Sequence, residues 1–311
     1  MKRCLYCYGS LEDNKVDYHS KCARKIFQSS TQPLITYTID EIEKLAYEVI
    51  QSKITLTGVQ PKLSLNIESK KNEPKRFTIV GRWGNYILKP QTSQYALLPE
   101  NEDLSMHLAE IAKIKTVPHS LIRFQDGSLA YITKRIDRDK KGEKIAMEDM
   151  CQLTERQTEY KYKGSYEQIA KKIKEYSGNP LLDIISFFEV VLFSYLTGNS
   201  DMHLKNFSLY NNNGKQELTP AYDLVSTKLV MPDDKEDLAL TLNSKKSNIK
   251  RKDFDNLLEK YKIEPKTIEN IYNKFRKTIP KWVEFIDKSF LSEEQKTNYK
   301  EIIIKNSKIL D

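Results

Sequence analysis

The sequence lacks the features that mark exported and membrane-embedded proteins. Its start, MKRCLYCYGSLEDNK, is basic and then polar and acidic, so it contains no apolar core of a signal peptide. The longest apolar stretch, Pro180 to Leu196, is short for a membrane span and carries Asp183 and Glu189. Such a stretch is typical of a buried amphipathic helix. We therefore expect a cytosolic protein, with export by a route that needs no signal peptide as the alternative.

Internal repeats and low-complexity tracts are also absent. The chain has 311 residues, enough for one large or two moderate domains. Its composition, 39% hydrophobic and 30% charged, suits a globular protein rather than a disordered one. The net charge of +8 favours anionic partners such as phosphates, nucleic acid or acidic protein surfaces. The excess lysine is spread over the whole chain, however, and by itself indicates only solubility.

Cysteine is scarce, and three of the four cysteines lie close to the start. Cys4, Cys7, His19 and Cys22 form the pattern C-x2-C-x11-H-x2-C. Two close pairs of soft ligands joined by a loop predict a tetrahedral Zn²⁺ site, which would be structural because protein ligands fill every position. The alternative is a set of reduced thiols beside an ordinary surface histidine. A disulfide is less expected in a reducing cytosol.

Alternating patterns dominate the first part of the chain. Residues 38–52 read as a helix with Thr38 or Asp40 as its cap, and residues 53–67 read as a hairpin that bends at Gly58. Further strands are predicted at RFTIV, NYILKP, SLIRF and SLAYITKRI, with a helix at ENEDLSMHLAEIAKI and a turn at residues 125–127.

The second part of the chain is predicted to be mostly helical. After about residue 140 the helical pattern is broken by short strands at FSLY and near LALTL. The stretch ITKRIDR is the expected crossover between the two parts. We therefore predict an α+β protein with one domain at residues 1–135 and a second at residues 136–311.

Several residues that could take part in catalysis lie in one loop, directly after the apolar stretch. In LTGNSDMHLKNFSLY, Asp201 is followed five positions later by Asn206, which is the spacing of a protein-kinase catalytic loop. In that loop the aspartate accepts the proton of the substrate hydroxyl, and the asparagine binds magnesium. Lys205 would place a cation near the transferring phosphoryl group. Each residue alone would also fit an ordinary solvated loop.

Two further residues extend the pattern. Asp223, in TPAYDLVST, offers a second carboxylate for a hard cation such as Mg²⁺. Lys89 lies at the end of the predicted strand NYILKP, where it could reach ATP phosphates. The joint order is a glycine-bearing hairpin, a strand lysine, a helix with glutamate, a crossover, D-x-x-x-x-N and a final aspartate. This order favours a kinase.

From about residue 53 to about residue 230, the sequence resembles the HipA family of bacterial serine/threonine kinase toxins, and most of all its short HipT-type members. TLTGVQPKLSL is similar to the glycine-rich loop of the family, YILKP to its ATP-lysine strand and PENEDLSMHLAEIAKIKTVP to its N-lobe helix. KRIDR and MEDMCQL resemble the segment after the hinge. GNSDMHLKNFSL and PAYDLVST resemble the catalytic and metal-binding segments.

The resemblance implies a two-lobed protein-kinase-like fold with a strand-rich N-lobe and a mostly helical C-lobe. It implies ATP and Mg²⁺ as cofactors and the following roles: Asp201 as catalytic base, Lys205 beside the transferring group, Gly58 and Lys89 at ATP, and Asn206 and Asp223 as magnesium ligands. The loop has one glycine, Gly58, where ordinary kinases have G-x-G-x-x-G.

Two threonines precede the loop glycine on one side of the predicted strand ITLTGVQ. Thr55 and Thr57 occupy alternate positions and therefore face the same way. The resemblance implies that one of them is modified by autophosphorylation, which would add negative charge beside the ATP phosphates. The alternative is two exposed threonines selected for β-propensity.

The resemblance also implies a biological role. Family members are toxins of toxin–antitoxin systems whose targets tend to be aminoacyl-tRNA synthetases in the bacterial cytosol. The implied partners are a small HipS-like antitoxin and a DNA-binding HipB-like protein, with nucleic acid contacted only through a partner and no membrane involved. About 50 residues precede the loop, where a full HipA has an extra subdomain, so we expect apolar N-lobe surface that a separate small protein covers.

Two other functions stay open. A small-molecule kinase of the aminoglycoside or choline type shares the Asp, Asn and Asp order. A pseudokinase-like regulator associated with nucleic acid is the second alternative, motivated by the basic runs SKKNEPKR and NSKKSNIKRK. Such runs are more often solvated faces.

Overall fold

The structure is a computed structural model that describes residues 2–42, 44–45, 61–81, 84–139 and 141–311. The predicted loop residues Thr55, Thr57 and Gly58 lie outside these ranges. The chain divides into two compact units. The first comprises Met1–Asp103, Val117–Lys144 and Lys288–Phe290, and the second comprises Leu104–Thr116, Ile145–Asp287 and Leu291–Asp311. The predicted division into residues 1–135 and 136–311 stays a prediction.

The first unit is built on a five-stranded antiparallel sheet. Its described elements are α1 (Ser20–Phe27), β1 (Leu63–Glu68), β2 (Arg76–Val80), β3 (Tyr86–Pro90), β4 (His119–Arg123) and β5 (Leu129–Lys134). The strands lie in the order β2-β1-β3-β5-β4, and every neighbouring pair is antiparallel. The strands predicted at RFTIV, NYILKP, SLIRF and SLAYITKRI are therefore confirmed.

Local chemistry explains the turn between β4 and β5. Gly127 has a φ of +91°, a backbone conformation that favours glycine. The carboxylate of Asp126 accepts a hydrogen bond from the Ser128 N–H at 2.9 Å, which closes the turn on itself. The Asp-Gly pair predicted this turn, and the register follows from it: Arg123 pairs with Leu129.

The helix predicted at residues 38–52 is observed where the structure describes it, at residues 39–42 and 44–45. Thr38 is its cap. The Glu41 N–H donates to the Thr38 hydroxyl at 3.3 Å, and the Glu41 carboxylate accepts from the Thr38 N–H at 2.8 Å. This reciprocal pair is a capping box, which satisfies two backbone donors that the first helical turn leaves unpaired.

The predicted helix that begins near Glu100 is α2 (Leu98–Ile111). Elements of the second unit then follow, and most of them are helices. They are β6 (Met147–Asp149), α3 (Met150–Leu153), α4 (Tyr166–Tyr176), α5 (Pro180–Thr197), β7 (Ser208–Asn212), β8 (Lys215–Leu218), α6 (Thr227–Val230), α7 (Arg251–Glu259), α8 (Pro265–Asp287) and α9 (Glu293–Asn306). The three strands form an antiparallel sheet in the order β6-β7-β8.

Helix α5 is the centre of the second unit. Its side chains Phe187, Phe188 and Phe193 are fully buried. The Phe193 ring meets Trp282 of α8 edge to face, with 5.4 Å between the ring centres. The Trp282 indole donates to the Leu108 carbonyl at 2.7 Å, so its polar atom is satisfied. This packing fixes the end of α5, from which the predicted catalytic loop emerges.

By length and composition alone, α5 would also be long and apolar enough to cross a membrane. More than half of it, 56%, is buried inside the structure. The protein environment supplies the contacts for its apolar side chains, as the sequence predicted for a buried helix.

The strand predicted near LALTL is wrong. The segment is buried, and Leu238, Leu240 and Leu242 have no exposed surface. It forms only isolated bridges, from Thr241 to Ser165 and from Leu242 to Lys245. An apolar run bounded by turns fits a buried strand and a buried irregular segment equally well, so periodicity alone could not separate the two.

Candidate functional site

The predicted ATP lysine lies in the first unit, and its ammonium is paired with a carboxylate. Lys89 of β3 places Nζ 2.6 Å from Oε1 of Glu102 on α2. Only 7% of the lysine side chain and 2% of the glutamate side chain are exposed. The ammonium also lies 5.5 Å from the centre of the Tyr131 ring on β5. A buried charge is tolerated when it is paired in this way.

The sequence indicated a helix with glutamate but not which acidic residue faces the lysine. Glu102 is therefore a candidate site residue that the sequence did not single out. The contact joins positions that are 13 residues apart, from a strand to a helix. The signal that could have found it is the protein-kinase requirement for a lysine–glutamate pair of this kind.

In the second unit, α5 ends in a Schellman motif just before the predicted catalytic loop. The Asn199 N–H donates to the Ser194 carbonyl at 2.8 Å, and the Gly198 N–H donates to the Tyr195 carbonyl at 3.2 Å. Gly198 has a φ of +68°, and a Cβ there would lie 2.9 Å from the Ile302 side chain. Glycine therefore ends the helix for both conformational and steric reasons.

Asp201 and Asn206 are brought together by hydrogen bonds inside the loop. The side-chain amide of Asn206 donates to the backbone carbonyl of Asp201 at 2.9 Å. The Asp201 N–H in turn donates to the side-chain oxygen of Asn199 at 2.9 Å. A short 3-10 helix, Leu204–Asn206, forms the last three positions of this interval. The five-residue interval therefore places the carboxylate of Asp201 and the amide of Asn206 in one small structure.

Tyr162 lies against this loop, and the sequence did not indicate its role. Its hydroxyl donates to Oδ1 of Asp201. Burial, reinforced by the negative charge of Asp201, raises the pKa of Tyr162 well above its ordinary value. The phenol therefore stays a hydrogen-bond donor at neutral pH, and it orients the predicted catalytic carboxylate.

His203 is buried within the loop, with 5% of its surface exposed. Burial lowers its pKa to about 4, although the carboxylates of Asp201 and Asp223 act in the opposite direction. The ring is therefore neutral at neutral pH. Its Nδ1 atom has no hydrogen-bond partner among the described residues. Because buried polar atoms are normally paired, we expect this nitrogen to form a hydrogen bond with water or a ligand.

Lys205 points to a carboxylate that the sequence did not single out. Its Nζ lies 2.6 Å from Oδ2 of Asp149, and the lysine side chain is 35% exposed. Asp149 is also the N-cap of α3, because its Oδ1 accepts from the Gln152 N–H at 3.0 Å. The side chain of this loop lysine is therefore held by a residue whose own position is fixed.

Asp223 is tied to the same loop through its neighbour. The Tyr222 hydroxyl donates to the Lys205 carbonyl at 3.0 Å and lies 2.6 Å from the Ser208 hydroxyl. Asp223 itself has a φ of +55°, a region that L-residues other than asparagine, aspartate and histidine rarely occupy. Aspartate is among the residues that adopt this conformation most readily, so the conformation does not by itself indicate a functional site.

Three of the five cations in the basic run NSKKSNIKRK pair with carboxylates of the second unit. Lys245 pairs with Asp253 at 3.0 Å, and Lys246 pairs with Glu236 at 3.2 Å. Arg251 has Glu269 as its partner at 2.5 Å. These three side chains are engaged by carboxylates of the same unit and are therefore less available to the phosphate groups of nucleic acid.

The predicted zinc ligands also come together. In the first unit, one ligand atom from each of Cys4, Cys7, His19 and Cys22 lies within 4.8 Å of the others. The four thiols of the chain, including that of Cys151 in the second unit, are free rather than joined in disulfides.

Residues 54–283 match the family model described as HipA-like C-terminal domain. The chain belongs to the HipA family. The match includes Lys89, Glu102 and the loop from Asp201 to Asn206, so the features described above fall within the family region.

Curated relatives of this HipA-family chain are known from several bacteria. A Haemophilus influenzae protein named "Putative kinase" is 34% identical over 188 residues, which are 57% of this chain and 53% of that protein. The serine/threonine-protein kinase toxin HipA of Shewanella oneidensis is 26% identical over 209 residues, which are 61% of this chain and 47% of that protein. The chain spans about half the length of the curated relatives it matches.

Solved structures confirm the predicted fold class. A chain of the Shewanella oneidensis HipA, HipB and operator DNA complex matches with a TM-score of 0.67 and 22% identity, covering 85% of this chain and 70% of that chain. The Helicobacter pylori proinflammatory kinase CtkA matches with a TM-score of 0.57 and 16% identity, covering 79% and 94%. The chain therefore has the two-lobed kinase-like fold.

Proposed function

We propose that this HipA-family chain is an ATP- and Mg²⁺-dependent serine/threonine protein kinase. The observation that carries the proposal is the buried Lys89–Glu102 pair at 2.6 Å. Protein kinases must assemble a strand lysine and a helix glutamate to hold the ATP phosphates. In this proposal Glu102 orients Lys89, and the ammonium contacts the nucleotide.

The loop of the second unit would perform the chemistry. Asp201, oriented by Tyr162, would accept the proton of the acceptor hydroxyl as it attacks the γ-phosphoryl group. Lys205, held by Asp149, would stabilise charge on the transferring group. We also propose that the segment around Gly58 contacts the nucleotide.

Asn206 and Asp223 would hold Mg²⁺, and their donor set fits a hard cation. The Asn206 amide nitrogen donates to the Asp201 carbonyl, so the side-chain oxygen of Asn206 is the atom of this amide that a cation would contact. That oxygen and the carboxylate of Asp223 are the ligand types that magnesium prefers. When bound, the ion would neutralise the charge of the nucleotide phosphates.

The names of relatives support a role in a toxin–antitoxin system. One relative is a kinase toxin, and one matched structure is a complex of HipA, HipB and operator DNA. We extend this to a toxin in the bacterial cytosol with a HipB-like DNA-binding partner and a small HipS-like antitoxin. Its protein substrate would be a translation component such as an aminoacyl-tRNA synthetase.

The direct test incubates the purified chain with γ-labelled ATP and Mg²⁺, with and without bacterial extract. We expect label on serine or threonine of a protein, identified by mass spectrometry, and none when EDTA replaces Mg²⁺. Aminoglycosides and choline are added in parallel reactions. Label that enters only these small molecules would replace the protein-kinase proposal with the small-molecule alternative.

Asp223→Asn is expected to weaken binding of ATP in the presence of Mg²⁺ by at least about 10-fold, because even outer-shell partners of a bound metal contribute about 10- to 100-fold. Calorimetric titration with MgATP, and with ATP in EDTA, measures the effect. The variant and the wild type should differ with Mg²⁺ and agree in EDTA. Asp233→Asn is the matched control, since Asp233 is an exposed aspartate. Equal weakening in both variants would contradict the role of Asp223.

Autophosphorylation is expected at Thr55 or Thr57, which the family resemblance places in the ATP loop. Intact mass and peptide mapping of the active chain should show one of them modified, while Asp201→Asn protein stays unmodified. Phosphate adds nearly two negative charges, so Thr55→Asp should lower activity more than Thr55→Ala does. Finding both threonines unmodified in protein that phosphorylates its target would contradict this regulation.

A further inference from the structure

The Cys/His cluster of the first unit is separate from the residues assigned to phosphoryl transfer. Cys4 and Cys7 flank a tight turn in which the Cys4 N–H donates to the Gly9 carbonyl at 2.8 Å and the Tyr8 N–H donates to the Cys4 carbonyl at 2.9 Å. Tyr8 has a φ of +59° within this turn. The backbone conformation therefore brings the thiols of Cys4 and Cys7 together, although two residues separate them in the chain.

The other two members come from the start of α1. His19 is the N-cap residue, but its side chain makes no capping hydrogen bond. Its Nε2 atom lies 3.0 Å from the Ser10 carbonyl, which leaves Nδ1 facing the sulfur atoms. Histidine ligands of metals are normally oriented by such a bond from the second ring nitrogen to a carbonyl. Cys22 lies in the first turn of the same helix.

Distances within the cluster match a tetrahedral site. His19 Nδ1 lies 3.4 Å from Cys7 Sγ and 3.8 Å from Cys22 Sγ. An ion bound about 2.3 Å from sulfur and about 2.0 Å from nitrogen in tetrahedral geometry separates these atoms by about 3.6 Å. A single S–H···N hydrogen bond would explain one of the two contacts. It does not explain why three sulfur atoms gather around one nitrogen.

We propose that Cys4, Cys7, His19 and Cys22 bind one Zn²⁺ ion and that this ion is structural. Three thiolates and one imidazole are a common ligand set for structural zinc. Protein ligands fill all four positions, so no position is left for water or substrate. The proposal does not depend on the proposed kinase activity.

The site would fix the N-terminal segment, residues 2–27, to the sheet. Leu5, between the two cysteines of the turn, is fully buried. Its carbonyl accepts from the Leu121 N–H at 3.3 Å and from the Ser120 hydroxyl at 3.1 Å, and both donors belong to β4. The Leu5 N–H donates to the Asp17 carbonyl at 2.9 Å, which joins the turn to the loop that leads to His19.

Helix α1 extends this attachment to the other strands. Phe27 packs edge to face on Phe77 of β2, with 5.8 Å between the ring centres. The hydroxyl of Tyr86 on β3 donates to the Ile26 carbonyl at 3.0 Å. This segment thus covers part of the apolar surface of the sheet. A cross-link between the turn and α1 would therefore stabilise the lobe that carries Lys89.

Measuring the zinc content tests the proposal, and this measurement needs no nucleotide. The full chain is purified without chelators or a metal-charged column, and its metals are measured by plasma mass spectrometry. We expect about one zinc per chain in the wild type and in Cys151→Ser, and less than about 0.2 in Cys7→Ser and His19→Ala, because each removes a ligand. Cys151→Ser is the matched control, since Cys151 is a buried cysteine of the second unit.

A second measurement covers the case in which the ligand variants fail to fold. Titrating wild-type protein with an organomercurial should release zinc, detected with a chromogenic chelator, as three thiols react. Amide exchange in residues 3–27 and in β4 should then rise, while α5 stays protected. Folded wild-type protein without zinc, a disulfide found among the three N-terminal cysteines, or full zinc content in Cys7→Ser would each overturn the proposal.

Discussion

Asp201→Asn is expected to lower the rate of phosphoryl transfer by about 10²- to 10⁴-fold, the usual contribution of a positioned general base. The amide cannot accept the proton of the acceptor hydroxyl, but it keeps the size of the carboxylate and can still accept the hydrogen bond from Tyr162. Binding of MgATP should change by less than about 3-fold, since Asp201 acts on the acceptor rather than on the nucleotide. Single-turnover labelling of the protein target and calorimetric titration with MgATP measure the two effects.

Tyr162→Phe provides a graded comparison. It removes the hydrogen bond that orients Asp201 but keeps the carboxylate, so its rate should fall between the wild type and Asp201→Asn. Asp233→Asn, an exposed aspartate of the same unit, should retain the wild-type rate. If Asp201→Asn labels the target at the wild-type rate, this loop is not the catalytic loop of a kinase.

Lys89→Met is expected both to abolish detectable kinase activity and to destabilise the first unit by about 3–5 kcal/mol, the usual cost of breaking a buried ion pair. The substitution leaves the buried Glu102 carboxylate without the ammonium that lies 2.6 Å from it. Urea denaturation followed by circular dichroism measures the stability. Lys71→Met, at an exposed lysine of the first unit, should change neither quantity.

The double variant Lys89→Met/Glu102→Leu separates stability from function. Replacing both members of a buried pair with apolar residues is often neutral for stability, so most of the lost stability should return. Activity should not return, because the proposed role of Lys89 is to contact the ATP phosphates. A double variant that regains kinase activity would show that Lys89 acts only as a structural residue.

The sequence determined the parts of this protein whose geometry is local. Alternation identified strands β1 to β5, and the Asp126–Gly127 pair identified the turn between β4 and β5. The interval from Asp201 to Asn206 closes through a hydrogen bond within five positions. The cysteine and histidine spacing likewise identified a cluster that the structure brings together. In each case, short stretches of chain have few ways to arrange residues at a fixed separation, so the spacing itself limits the geometry.

Tertiary structure alone decided which distant residues pair. Helix α2 has four acidic side chains, and three of them, those of Glu100, Glu102 and Asp103, are buried. Glu102 meets the lysine, whereas Asp103 binds His119 at 2.7 Å. Burial raises the pKa of the third, Glu100, to about 7.

The pairs of Lys205 with Asp149 and of Tyr162 with Asp201 join positions 56 and 39 residues apart. Partner choice over such separations depends on how helices and strands pack. Neighbouring positions on a helix point in different directions, and only the packed fold fixes which of them faces a given strand.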